Sequence, residues 1–279
     1  PIVNFNRSLT VSETDLTTNN TTNQFGGFVF NEEFSSKGWG IGAKFGIIYK
    51  PEASLRVGFA LHTPQLIGFR DKISADMTTN TESYAGTVEA SSGDLNNGLP
   101  GVREYTVITP TKATFSGSYF FASPGKPTQP LGFISADIEW VNYAGTRFSA
   151  NDFDQESADY YDDLNNTMKA TYKNNINIRL GSEIKLTGNW MARAGTAYYG
   201  SPYKNEFADE NGTKLVTPSR FILSGGIGYR TNKYFLDFTI SSAANRDAVV
   251  PYRLIDKPSP IAVQNSNTVL FNIGYGIRF

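Results

Sequence analysis

The chain has 279 residues, a formal net charge of −1 and 39% hydrophobic content, which suits one large domain or two small ones. No basic excess or Lys/Arg stripe points to nucleic acid, and the absence of cysteine excludes disulfide frameworks, thiolate nucleophiles and Cys-based zinc sites. Aromatics at 14% and 26 glycines exceed ordinary globular usage, and no apolar run reaches the roughly 18 residues of a membrane helix, so any membrane crossing must be made by strands.

Pro1 to Phe5 offers neither an initiating Met nor a charged-then-apolar leader, so the chain reads as a mature form or a fragment. An opening strand is expected near Val3 to Ser12. Thereafter a period-of-two pattern recurs. Trp39, Ile41, Ala43, Phe45, Ile47 and Tyr49 alternate with Gly40, Gly42, Lys44 and Gly46; after a PEAS turn, Leu55, Val57, Phe59 and Leu61 alternate with Arg56, Gly58, Ala60 and His62. The same reading predicts strands over Lys112 to Phe121, Ile134 to Trp140, Asn175 to Lys185, Trp190 to Tyr198, Phe221 to Arg230, Tyr234 to Ser241 and Val269 to Phe279. That makes about ten strands of about 10 to 13 residues, the length a tilted strand needs to cross hydrocarbon.

Short links (PEAS, Ala122 to Pro130, LTGN, RTNK) alternate with long polar ones: Asp15 to Gly38, Thr63 to Thr111, Asn142 to Asn174, Ser201 to Pro218 and Ala243 to Asn267. Strict alternation of this kind is expected of an all-β, antiparallel up-and-down barrel in a bacterial outer membrane. Counting back from Phe279 puts every short turn on the periplasmic side. One strand face carries no central charge and would meet lipid. The other holds Arg56, Asp137, Glu139, Arg179, Glu183, Arg193, Arg230 and Asp237 and would face the lumen. A terminal aromatic, Phe279, suits recognition by outer-membrane assembly machinery. The competing fold, a soluble sandwich, would have to expose whole apolar faces to water.

His62 is the one histidine, and a Ser-His-acid hydrolase would need it beside Ser116 or Ser118 and Asp137 or Glu139. Nothing in the sequence brings these together, and no enzyme activity or cofactor is expected. The acidic run Asn151 to Asn166 lacks the spacing of a calcium loop and reads as a solvated loop with a short helix. The GWGIG and GGIG runs sit inside strands with no helix following, which fits strand packing rather than phosphate binding.

Three stretches carry a family resemblance: GWGIGAKFGIIYKPEASLRVGFALHTP, LGFISADIEWVNYAGTRF and NINIRLGSEIKLTGNWMARAGTAYYGSPY. They resemble the FadL-like outer-membrane transporters, in particular the branch of aromatic-hydrocarbon transporters and haemin receptors. The resemblance implies a fourteen-strand barrel for passive uptake of hydrophobic small molecules, fatty-acid-like or aromatic, with an N-terminal hatch and a sideways exit beside a kinked strand. Residues 1–279 would then be the C-terminal part of that barrel, since neither the hatch nor its Asn-Pro-Ala signature is present. The external segment Thr63 to Pro110 is where ligand capture is expected, through Leu66, Ile67, Phe69 and Met77. Expected partners are outer-membrane lipid, a hydrophobic small-molecule ligand and the assembly machinery. The alternative function is a non-transporting barrel that acts as a scaffold for surface-protein export or envelope assembly, with other envelope proteins as partners.

Overall fold

A computed structural model describes residues 1–16, 23–123, 126–151, 155–204, 207–208, 214–249 and 259–277. In chain order the strands are β1 (Ile2–Thr14), β2 (Gly27–Ile41), β3 (Lys44–Tyr49), β4 (Leu55–His62), β5 (Leu66–Asn80), β6 (Thr87–Ser91), β7 (Gly101–Ile108), β8 (Lys112–Ser123), β9 (Lys126–Asn142), β10 (Arg147–Ala150), β11 (Asn174–Lys185), β12 (Trp190–Tyr199), β13 (Phe207–Ala208), β14 (Lys214–Val216), β15 (Ser219–Arg230), β16 (Tyr234–Val249) and β17 (Ala262–Ile277). Helix α1 (Gln155–Thr171) lies between β10 and β11. Two compact units result, one of Pro1–Gly42, Gln65–Thr109 and Arg147–Asn165, the other of Ala43–Pro64, Pro110–Thr146 and Asn166–Phe279.

The second unit holds a nine-stranded sheet in the order β3-β4-β8-β9-β11-β12-β15-β16-β17, each strand antiparallel to the next. This is the up-and-down order the alternation predicts, joined by the expected tight links. In the LTGN turn Gly188 takes φ 65°, a left-handed conformation that suits glycine, while Leu186 and Trp190 close the hairpin. In the RTNK turn the Thr231 hydroxyl accepts the N–H groups of Lys233 and Tyr234.

One face of this sheet is apolar and uncovered. Phe115, Ile138, Leu180, Leu223, Phe238 and Ile273 are all exposed on it. Among the described residues the buried hydrophobic side chains are few, namely Ile67, Val141, Tyr161, Ala243 and Ala248. A sheet with this little core is not held together by burial away from water; its apolar face is suited to hydrocarbon, where the backbone ladder satisfies every internal polar group.

The first unit holds a six-stranded sheet in the order β1-β2-β5-β7-β10, with β6 paired on β5. Here the sequence expectation needs correction. The opening strand forms, but it pairs with β2 in this sheet from Ile2↔Trp39 to Thr14↔Gly27. Much of Asp15 to Gly38 and Thr63 to Thr111, expected as polar loops, is strand β2 and strands β5, β6 and β7. The polar run Asn31, Glu32, Glu33, Ser35, Ser36 and Lys37 breaks apolar alternation, yet its ladder to β5 is continuous. Hydrophobic period reports which face is desolvated, and a strand with polar side chains on both faces carries no such signal.

The stretch Trp39 to Tyr49, expected as one strand, is divided at Gly42–Ala43 between the two units. Proline accounts for two neighbouring breaks. Pro64 and Pro110 have no N–H to give a ladder, and the threonine before each supplies replacement bonds. In the second unit the Thr63 hydroxyl accepts from Ala43 N–H at 2.9 Å while the Thr63 N–H donates to the Ala43 carbonyl at 3.0 Å. In the first unit the Thr109 hydroxyl accepts from Gln65 N–H at 2.9 Å, and the Thr109 N–H donates to the Gln65 carbonyl at 3.0 Å.

Candidate functional site

The nine-stranded sheet puts all eight expected charges on one face, opposite the apolar one, because the register pairs Asp137 with Arg179, Glu183 with Arg193 and Gly228 with Asp237. Seven of the eight form ion pairs. Arg179 Nε lies 3.5 Å from Asp137 Oδ2, and its Nη2 lies 3.7 Å from Glu139 Oε2. Arg193 donates through Nε to Glu183 Oε2 at 2.6 Å and through Nη1 to Asp237 Oδ1 at 2.8 Å, and Arg230 reaches Glu183 at 3.8 Å. Arg56 takes a different partner: its guanidinium sits 4.4 Å from the centre of the Phe120 ring, which packs on Phe133.

The glycines of the GGIG run make the Arg193 arrangement possible. Arg193 is on β12 and Asp237 on β16, two strands away, so the guanidinium must cross β15 between them. It does so over Gly228, where an added Cβ would stand 2.5 Å from Asp237 Oδ1 and 3.2 Å from Arg193 Nη2. Two residues that sequence reasoning left among the polar positions extend the network. Asn177, 4% exposed, donates to Glu139 at 2.9 Å and accepts from Asn175, which also donates to the Gly200 carbonyl. Mixed signs that pair this closely make a neutral polar face.

The hydrolase constellation does not assemble. Ser116 lies beside Asp137 in the register, but His62 is opposite Lys44 and Lys112, four residues along β8 from Ser116, or about 13 Å. On the apolar face a groove of about 590 Å³ has Gly117, Ala136, Ser182 and Ala194 among its lining residues. The hydroxyl of Ser182 donates to the Ala194 carbonyl, so the groove stays apolar in character.

The expected ligand residues fall on β5 in the six-stranded sheet. Ile67, Phe69 and Met77 share one face; Leu66 points to the other, where it is exposed. Met77 is eight residues beyond Phe69, about 27 Å along the strand, so Ile67 and Phe69 alone are neighbours. These two pack where the partner strand has no side chain: a Cβ at Gly38 would meet the Phe69 ring, and one at Gly40 would meet Ile67.

Phe69 opens an aromatic cluster that composition alone could not locate. Its ring stacks on Tyr105 at 5.4 Å between centroids, Tyr105 stacks on Tyr161 of α1 at 5.9 Å, and Phe148 completes the group at 6.3 Å from Tyr105. The Tyr105 hydroxyl donates to Asp71 Oδ2 at 2.9 Å. Burial, reinforced by this hydrogen bond and the carboxylate charge, pushes the Tyr105 hydroxyl well above the usual tyrosine range. Helix α1 is fixed on the sheet by Asn165, whose amide accepts from the Phe148 N–H and donates to the Phe148 carbonyl, both at 2.8 Å. Arg103 covers Tyr160 at 4.5 Å. The acidic run is thus largely helix from Gln155 onward, while Phe153 and its neighbours at 152–154 lie outside the described residues, as does Phe279.

Residues 4–279 match the family described as "Outer membrane protein transport protein (OMPP1/FadL/TodX)". No curated protein matches the chain. Among solved structures, a FadL homologue from Pseudomonas aeruginosa is similar at 11% identity and a TM-score of 0.42, covering 96% of this chain and 76% of that one.

Proposed function

The chain belongs to the outer membrane protein transport family OMPP1/FadL/TodX, whose members carry hydrophobic molecules across the outer membrane as non-enzymatic channels, and on that premise we propose that its ligands are fatty-acid-like or aromatic small molecules taken up passively. The observation that carries this reading is the aromatic face of Ile67, Phe69, Tyr105 and Phe148 under Tyr161 of α1. Flat rings and an aliphatic neighbour offer an oily ligand both stacking and removal from water, worth roughly 25 cal/mol per Å² of apolar surface buried. No covalent step is needed. The charges of the nine-stranded sheet, four of each sign from Arg56 to Asp237, would line the lumen as a polar wall without a net field.

Two further assignments belong to the same reading. In the nine-stranded sheet β3 and β17 each have one strand neighbour among the described residues. An open edge in hydrocarbon leaves a row of N–H and C=O groups unsatisfied, which supports a larger, fourteen-strand barrel in which further strands cover both edges. The alternation of β17 from Phe271 to Ile277 supports its recognition by the assembly machinery, with Phe279 as the terminal signal.

Titration of a fluorescent fatty acid and of a monocyclic aromatic into the detergent-solubilised protein tests the ligand site. Phe69→Ala is expected to weaken binding on the order of tenfold, and Leu66→Ala, on the opposite face, to leave it unchanged. Equal affinity in Phe69→Ala and wild type would remove the site from this face. An intact protein that binds neither ligand would favour the scaffold role in surface-protein export or envelope assembly.

A further inference from the structure

The face of the six-stranded sheet turned away from α1 sorts its residues by chemistry along the strand direction. At one end stand Ile2, Trp39, Ile41 and Leu66, all exposed, Trp39 to 73%. The next row along is Lys37 directly opposite Arg70, with Lys72 one row further. Rows on one face are two residues apart, about 7 Å. The two cations Lys37 and Arg70 are cross-strand partners, a placement that costs stability when nothing neutralises it. Glu104 offsets only Arg70, at 3.2 Å. Lys37 and Lys72 have no ion-pair partner among the described residues, and Glu33 stands beyond them on the same face, away from the aromatic end.

Between these rows lies a hollow of about 570 Å³ lined by Trp39, Gly68, Lys37, Arg70 and Glu104. Gly68 keeps it open: a Cβ there would meet nothing within 4 Å. The hollow is therefore apolar on one rim and cationic on the other.

We infer that this face binds the phosphorylated headgroup of a membrane lipid, with Lys37, Lys72 and Arg70 on the phosphate and Trp39 against the first segment of its acyl chains. The charge complementarity selects the occupant. A protein surface would be expected to present carboxylates to all three cations at fixed positions, whereas a lipid joins anion and hydrocarbon in the order in which this face presents cation and aromatic ring. The inference concerns how the protein meets its membrane and is separate from ligand transport.

The test uses the full chain in detergent micelles with fluorescent lipid A as the probe, read by anisotropy. The double variant Lys37→Gln/Lys72→Gln is expected to bind on the order of tenfold more weakly at low salt, with the difference shrinking as salt screens the contacts. Trp39→Ala should also weaken binding, while Lys233→Gln, an exposed lysine in the RTNK turn, should not. Both substituted lysines are exposed, and heat-modifiable gel mobility verifies that the variants fold. Unchanged affinity in the double variant would overturn the inference. So would an equal loss in Lys233→Gln, which would mean diffuse attraction, or displacement of lipid A by equimolar inorganic phosphate, which would mean a free-anion site.

Discussion

Gly228 shows how much a residue without a side chain can determine. Its bare Cα lets Arg193 reach from β12 across β15 to Asp237 while still holding Glu183 on β11. Gly228→Ala should displace the guanidinium and cost about 1–3 kcal/mol, and a double-mutant cycle with Asp237→Asn in urea unfolding from micelles should show the two changes to be strongly non-additive. Tyr105 makes a second prediction. Its folded pKa is raised, so its contribution to stability is complete below the ordinary tyrosine value of 10.0 and is lost as pH rises above it. Burial also raises Tyr143 and Tyr203, though less, so an absorbance titration at alkaline pH should show several late tyrosines, with Tyr105→Phe removing the last of these steps. Parity made the shared face of Arg193, Glu183 and Asp237 legible in the sequence. It could not show that Leu66 and Ile67, adjacent residues, serve opposite faces of a strand, because residues 66–80 lack the apolar alternation that marks one.

Helix α1 illustrates what periodicity misses and side-chain chemistry supplies at the scale of an element. Just past its midpoint it is held by the amide of Asn165, which occupies the Phe148 N–H and carbonyl of edge strand β10 much as another strand would. Asn165→Ala is expected to speed hydrogen exchange in the turns of α1 around residue 165 and at the Phe148 amide, leaving β11 to β16 protected; acceleration throughout the nine-stranded sheet would contradict this local role. The strands of the nine-stranded sheet were legible because an apolar face and a face of paired charges impose a strict period of two. Strands β2, β5 and β7 carry polar residues on both faces over much of their length, so their residues alternate weakly and resemble loops. The Thr-Pro pairs at 63–64 and 109–110 stand where β4 and β7 stop, and the replacement hydrogen bonds through each threonine hydroxyl explain why the breaks are stable.

At the scale of the whole molecule, the nine-stranded sheet has one apolar face and one face of paired charges, and the larger barrel proposed above would cover its edges at β3 and β17. Intact mass of the protein extracted from native outer membrane should exceed the 30.7 kDa of this chain, or the chain should be recovered with a partner that supplies strands. A single species of 30.7 kDa would instead require β3 and β17 to be satisfied within it. The most direct measurement is the initial rate at which a labelled fatty acid or aromatic hydrocarbon enters cells lacking the gene, with and without the restored protein. The account predicts faster entry of the hydrophobic compound on restoration, reduced again by Phe69→Ala, and no change for a hydrophilic sugar of similar size. Faster entry of the sugar, or no change for either compound while the protein is folded in the membrane, would contradict it.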